Sequence, residues 1–284
     1  MARVRDVLDV LHRAYPESLA EDWDTGIGLT CGDPEDQVTS VLLAVDVDAG
    51  TVDEAIRGGA EMLLTHHPLL FRPVQSVAAD RSKGVLLHRM IRAGVAHVAA
   101  HSNADRAPGG VNSALAAALG LTDQRPLRPD EADPAHTGSG RVGRLTRPLT
   151  LRQFTALAAD RLPATVTGVR AAGDPDLVIT TVAVCGGAGD SELDAAAACG
   201  ADVYLTSDLR HHVVADFVSD PSNPAIVEVA HWAGEWPWLA NAALLIEQGT
   251  FGAVAATVST LRTDPWTLHV PSRGGDDGAA APGG

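Results

Sequence analysis

Three short apolar runs in this chain each lead into histidine. Met62, Leu63 and Leu64 pass through Thr65 to His66 and His67; residues 95–100 lead to His101; residues 225–230 lead to His231. Runs of this length are short for helices and read as buried strands of the kind that parallel sheets contain. In open α/β sheets, ligands collect in the crevice beyond the carboxyl ends of the strands. Three strands of one sheet would bring the four histidines to a common edge, together with Asp105 and Glu235, each four residues beyond a histidine. The expected class is therefore α/β.

Imidazole and carboxylate together suit zinc, manganese, iron, cobalt or nickel, and six candidate ligands exceed what one tetrahedral ion needs. Two divalent ions sharing a carboxylate would use the whole set. Pro68 removes a backbone donor directly after the histidine pair and biases His67 away from helix, so the pair sits on a stiff turn. A single His-His pair would mean little among 11 histidines in 284 residues, but three sites at one structural position mean more.

Along the chain, apolar residues at Val4, Val7, Leu8, Leu11 and Tyr15 have helical spacing, and Pro16 ends the helix. Trp23 and Asp24 lie in a loop beside two glycines. A strand over 38–47 ends on Asp46 and Asp48; Thr51, with Glu54 three residues on, then caps a helix to residue 57. Helices over 82–92 and 111–119 follow. Strand, helix, strand in this order argues for βαβ units. Residues 126–140, rich in Pro, Asp, Glu, Arg and Gly, read as a surface linker between lobes. The expected organisation is a metal-binding lobe from 1–125 and 230–270 and a second α/β lobe from 141–229, with strands near 166–170 and 178–184. Residues 271–284 read as a disordered tail. Gly186 to Gly189 follow a strand, and such a turn can hold an anion or simply open a helix. Asp208 and His212, just past another strand, are candidate proton shuttles, with a capping aspartate and a surface histidine as the plainer reading.

Net charge of −15 works against a nucleic-acid partner, whose phosphates need cations. No segment has the ~20 apolar residues that cross a bilayer, and residues 1–6 lack a signal peptide's apolar core. Cys31, Cys185 and Cys199 are widely spaced with no CxxC, which implies no disulfide frame; a cytoplasmic protein is expected. GxSxG, GxxxxGK and HExxH are missing, which leaves the metal cluster as the one chemical constellation.

Taken together, Trp23-Asp24, Leu64 to Phe71, His101 to Asp105 with Gly109 to Asn112, Cys185 to Gly189, Ala201 to Asp208 and His231 to Glu235 make the chain resemble the Nif-three-like family, also called GTP cyclohydrolase I type 2 homologues. The resemblance runs from the first helix to about residue 270. It implies two α/β lobes with mixed, largely parallel sheets, and a dinuclear centre at strand ends between them. By position, His66 and His67 would each hold one ion. Asp105 would join the His67 ion, His231 the His66 ion, and Glu235 would bridge both as the central catalytic carboxylate; His101 joins the candidate set. It also implies a hexameric ring of identical chains and hydrolysis of a small-molecule substrate. The alternative class is a non-enzymatic metal carrier or oligomeric scaffold. The chain departs from the family at Ser207, usually glycine, and carries no inserted domain at 126–140.

Overall fold

A computed structural model of the protein describes residues 1–271. Helix α1 (Val4–Ala14) buries Val4, Val7, Val10 and Leu11 along one stripe and stops short of Pro16. After the Trp23–Asp24 loop comes β1 (Gly28–Cys31), then β2 (Ser40–Ala44), α2 (Ala49–Gly58), β3 (Met62–Thr65), α3 (Ser82–Ala93) and β4 (Ala96–Ala99). Strands β2, β3 and β4 pair in parallel, and β3 and β4 are buried throughout. Their residues alternate between two cores. Val41, Leu43, Met62 and Leu64 join the core with α1, while Leu42, Ala44 and Leu63 join the core with Val52 of α2 and Leu87 and Met90 of α3. Helix α2 begins earlier than its Thr51 signal suggests. Asp48 is the cap, accepting from the Thr51 N–H at 2.9 Å, and the Thr51 hydroxyl answers the Asp48 N–H. A carboxylate is the stronger acceptor for the free N–H groups at a helix start.

Helices α4 (Ser102–Arg106) and α5 (Val111–Ala118) lead to a hairpin, β5 (Thr122–Pro129) and β6 (Gly138–Thr150). This corrects the expected linker: residues 126–129 and 138–140 belong to strands of the second sheet, and residues 130–137 are the turn of the hairpin between them. Charged and proline residues hid the strand because its outer face is exposed, while Leu127 is buried. Arg141 pins the hairpin to the first lobe. Buried to 3% exposure, it donates to the carbonyls of Gly138 and Gly140 at 2.7 Å and Ala107 at 2.9 Å, and to the Ser113 hydroxyl at 3.0 Å.

The second lobe continues with α6 (Leu151–Arg161), β7 (Arg170–Ala172), β8 (Val178–Ala188), α7 (Leu193–Ala198), β9 (Val203–Ser207), α8 (His211–Ser219) and β10 (Ala225–Glu228). The strand expected at 166–170 falls at β7 instead, because Gly168 turns the chain at φ 65°. Then α9 (His231–Glu235) carries the chain back, and α10 (Trp238–Gly249) and β11 (Ala255–Val258) complete the first lobe. The first sheet runs β1-β4-β3-β2-β11 and the second β5-β6-β8-β9-β10-β7, both mixed. Among the described residues no helix is long and apolar enough to cross a membrane. The tail expected at 271–284 lies, from residue 272 onward, outside the described residues.

Candidate metal centre

His66 and His67 continue β3 past its end; their N–H groups bond the carbonyls of Ala44, the last residue of β2, and of Val45 just beyond it. His101 precedes α4, and His231 and Glu235 are the first and last residues of α9. Every one of these imidazoles is held through Nδ1. His66 donates to the Ala100 carbonyl at 2.9 Å, His67 to Asp46 at 2.6 Å, His101 to Asp24 at 2.9 Å and His231 to Asp208 at 2.6 Å. With Nδ1 so engaged, Nε2 is the atom left to ligate, the arrangement by which carboxylates and carbonyls orient metal-binding histidines.

The Nε2 atoms of His66, His67 and His231 converge on Glu235. Its Oε1 lies 3.0 Å from His231 and 3.3 Å from His66, and its Oε2 lies 3.1 Å from His67. Asp105 approaches His66 at 3.7 Å, and His231 approaches His67 with 3.2 Å between the two Nε2 atoms. The pairing implied by the resemblance is thus exchanged: Asp105 sides with His66, and His231 with His67. His101 is no bystander; it shares a ligand-sized cluster with His66 and His67, while His67, His231 and Glu235 form a second.

The residues fit a pair of cations on two grounds. Two lone-pair nitrogens facing each other at 3.2 Å repel unless a positive charge lies between or beside them. Moreover, Asp105 Oδ1 and Glu235 Oε2 are buried without a hydrogen-bond partner, an arrangement that costs energy until a cation answers it. Without metal, protons take that place. Burial opposes charge on His67, yet Glu235 and Asp46 raise its pKa to about 10. Glu235 foremost, against burial, raises His231 to about 11. Burial works against ionised Glu235, but the surrounding imidazoles hold it well below the usual range. Burial pushes the Asp105 carboxyl up.

Two clefts each reach at least two of the clustered histidines. One of about 660 Å³ is walled by Trp23, Phe71, Arg128, Gly186 and Glu192; the other, about 960 Å³, meets only His67 and His231 and is walled by Asp46, Asp208, Thr263 and Trp266. Trp238, fully buried, packs edge-on against His66 at 5.6 Å. The glycine-rich turn has a different use from anion binding. Gly187 (φ 69°) passes so close to the centre that a Cβ there would stand 2.5 Å from Glu235 Oε1.

Asp208 is at the centre, but as the partner of His231, with its backbone in the left-handed region at φ 58°. His212 corrects the expectation: it is exposed in the first turn of α8 and lines neither cleft. Helix α8 starts only after the chain has turned away at Leu209 and Arg210, and that carries its first turn to solvent. Sequence reasoning noticed Asp24 and Asp46 but not their task, because nothing in spacing ties Asp24 to a histidine 77 residues on.

Histidines and carboxylates gathered at the strand ends of two α/β lobes define a class, the α/β proteins with a clustered imidazole–carboxylate centre. Within it, the chain belongs to the Duf34/NIF3 (NGG1p interacting factor 3) family, whose model matches residues 2–265. It is 45% identical to a Streptomyces coelicolor protein named GTP cyclohydrolase 1 type 2 homolog, covering 99% of this chain and 100% of that one. A Mycobacterium tuberculosis protein of the same name is 37% identical over 371 aligned positions, covering 94% and 97%. The fold is shared with a solved Staphylococcus aureus protein (25% identity, TM-score 0.85) and with a Bacillus cereus protein related to NIF3 (24%, 0.86); both comparisons cover 94% of this chain and 99% of the other.

Proposed function

We propose that the protein is a hydrolase dependent on two divalent ions, one held by His66, His101 and Asp105, the other by His67 and His231, with Glu235 between them. The observation that carries this reading is the convergence of three Nδ1-anchored imidazoles on one buried, ionised carboxylate, with a fourth, that of His101, clustered against His66 and His67. Ions in such a site acidify a water and polarise the oxygen of an electrophilic carbon or phosphorus. Mixed nitrogen and oxygen donors fit zinc, manganese, iron, cobalt or nickel.

The chain's own residues do the rest. Asp24, Asp46 and Asp208 hold the imidazoles of His101, His67 and His231 in one tautomer, and Glu235 stays ionised although it is buried. Trp23 and Phe71, 59% and 42% exposed, stand 5.9 Å and 5.7 Å from the His101 ring and offer a flat apolar rim to a substrate. The name of the Streptomyces relative makes a purine nucleotide one substrate to try. Arg128 lies across the cleft from that rim, already paired with Glu192 at 2.7 Å.

Metal content per chain, for wild type and Glu235→Ala, tests the reading. Two equivalents falling to one or none in the variant support it and open a screen of nucleotides, phosphoesters and amides. No metal in either, after addition of manganese, zinc or iron, overturns it. Two exchangeable ions with no turnover in that screen would assign a metal carrier instead, a role that the second opening onto His67 and His231 also suits.

A further inference from the structure

Thr263 belongs to no helix or strand. It sits on the stretch that leaves β11 and crosses the carboxyl edge of the first sheet. Ser259 anchors that stretch: its N–H donates to the Leu43 carbonyl at 2.8 Å, its carbonyl accepts the Trp236 indole N–H at 3.0 Å, and its hydroxyl donates to Glu54. Leu261 then lies directly on α2. A Cβ at Gly50 would stand 2.7 Å from Leu261 Cδ2, so a glycine is what lets the two segments touch. This path delivers the Thr263 hydroxyl to Asp46. Thr263 Oγ1 donates to Asp46 Oδ2, while Oδ1 of the same carboxylate accepts from His67 Nδ1 at 2.6 Å.

The other carboxylates that orient an imidazole are restrained too. Asp24 accepts from the Ser102 N–H at 3.0 Å and its hydroxyl at 2.6 Å, while the backbone of Asp208 is set in the left-handed region at φ 58°. Asp46 stands at a strand end with its side chain 31% exposed, and Thr263 holds the oxygen that His67 leaves over.

We propose that Thr263 is a positioning residue: by holding Asp46 it fixes the direction in which His67 Nε2 faces His231 and Glu235. The inference rests on the two-ion reading of the cluster and names a residue of that centre's outer support, supplied by the C-terminal stretch. With Oδ2 released, the carboxylate turns about its Cα–Cβ and Cβ–Cγ bonds and His67 loses its fixed orientation.

The test uses the full chain, stripped of metal by chelation and titrated calorimetrically with zinc. Loss of an outer partner costs about 10–100-fold in metal affinity, so Thr263→Val, which keeps the shape and removes the hydroxyl, is expected to weaken one of two ions about tenfold. The other ion should bind as before, and Thr263→Ser should restore the first. Wild-type titration by Thr263→Val overturns the proposal. A second readout is independent of metal: the downfield Nδ1 proton of His67 in the metal-free protein, assigned by its loss in His67→Gln. It should broaden or shift in Thr263→Val and return in Thr263→Ser; an unchanged signal overturns the proposal. Should wild type take up no zinc, the two-ion reading fails, and the proton signal alone decides the role of Thr263.

Discussion

The two lobes run the same local plan and end it differently. In the first, Val41 pairs with Met62 and Met62 with Ala96; in the second, Val182 pairs with Val203 and Val203 with Ala225. Even the fastening is repeated. Glu61, just before β3, accepts the N–H groups of Thr39 and Ser40 at 2.9 Å; Asp202, just before β9, accepts those of Thr180 and Thr181 at 2.7 and 2.8 Å. Counting on from these carboxylates, Thr65, His66 and His67 stand where Thr206, Ser207 and Asp208 stand. One lobe places imidazoles at its strand end. The other places a hydroxyl and a carboxylate, and its share of the cluster, His231 and Glu235, comes instead from α9, two helices later. The lesson is that the strand frame sets where functional groups can be, while the residues just past the strand decide which lobe ligates and which supports.

The largest break in this comparison should come from the carboxylates behind the imidazoles. Asp24→Asn in the first lobe and Asp208→Asn in the second should each lower metal affinity about 10–100-fold. Both should lower the melting temperature of the metal-free protein, Asp24→Asn the more, because Asp24 is buried and, against the cost of burial, held to a pKa of about 2 by His101 and Ser102, whereas Asp208 is exposed and lowered chiefly by its bond to His231. Calorimetric titration and thermal melts would separate the two; equal melting losses would mean that both lobes support the centre alike.

A pH series sharpens the same point. His67 and His231 are raised from 6.5 to about 10 and about 11, so metal uptake must displace at least one proton over most of the pH range. Affinity should rise about tenfold or more per pH unit from neutrality toward pH 10. The stabilising protons of the metal-free state are fully present below 6.5 and lost as pH climbs through 10 to 11. Metal-free protein should therefore weaken toward alkaline pH as the loaded protein gains; an affinity flat between pH 7 and 9 would contradict the proton count.

The smallest effects belong to the fastenings. Glu61→Ala and Asp202→Ala each leave backbone N–H groups without their acceptor and should cost about 1–3 kcal/mol in chemical denaturation. Neither should change metal content. A loss of ions in Asp202→Ala alone would show that the second lobe holds the centre more tightly through its frame than through Asp208.

Much of this was legible in the chain. Buried parallel strands cannot alternate in polarity, so residues 62–64 and 95–100 announced themselves, and strand-end geometry tied His66, His67 and His101 to one edge. The single sheet expected to carry all four histidines is two: β3 and β4 lie in the first, while β10, which leads to His231, lies in the second. The hairpin at 122–150 was not legible. An edge strand with one exposed face can carry Arg and Pro freely, and composition there imitates a linker. His212 looked equivalent to Asp208 on spacing, but a turn at Leu209 and Arg210 separates them in space.

The sequence by itself determined the α/β class and singled out the histidines and carboxylates just past strand ends, because periodicity and side-chain chemistry are local. Tertiary structure alone decided which imidazole faces which carboxylate, since Asp24, Asp46, Asp208 and Thr263 reach their partners across 77, 21, 23 and 217 residues. Such contacts depend on how the sheets stack and on where the returning chain crosses them, and no spacing rule encodes either.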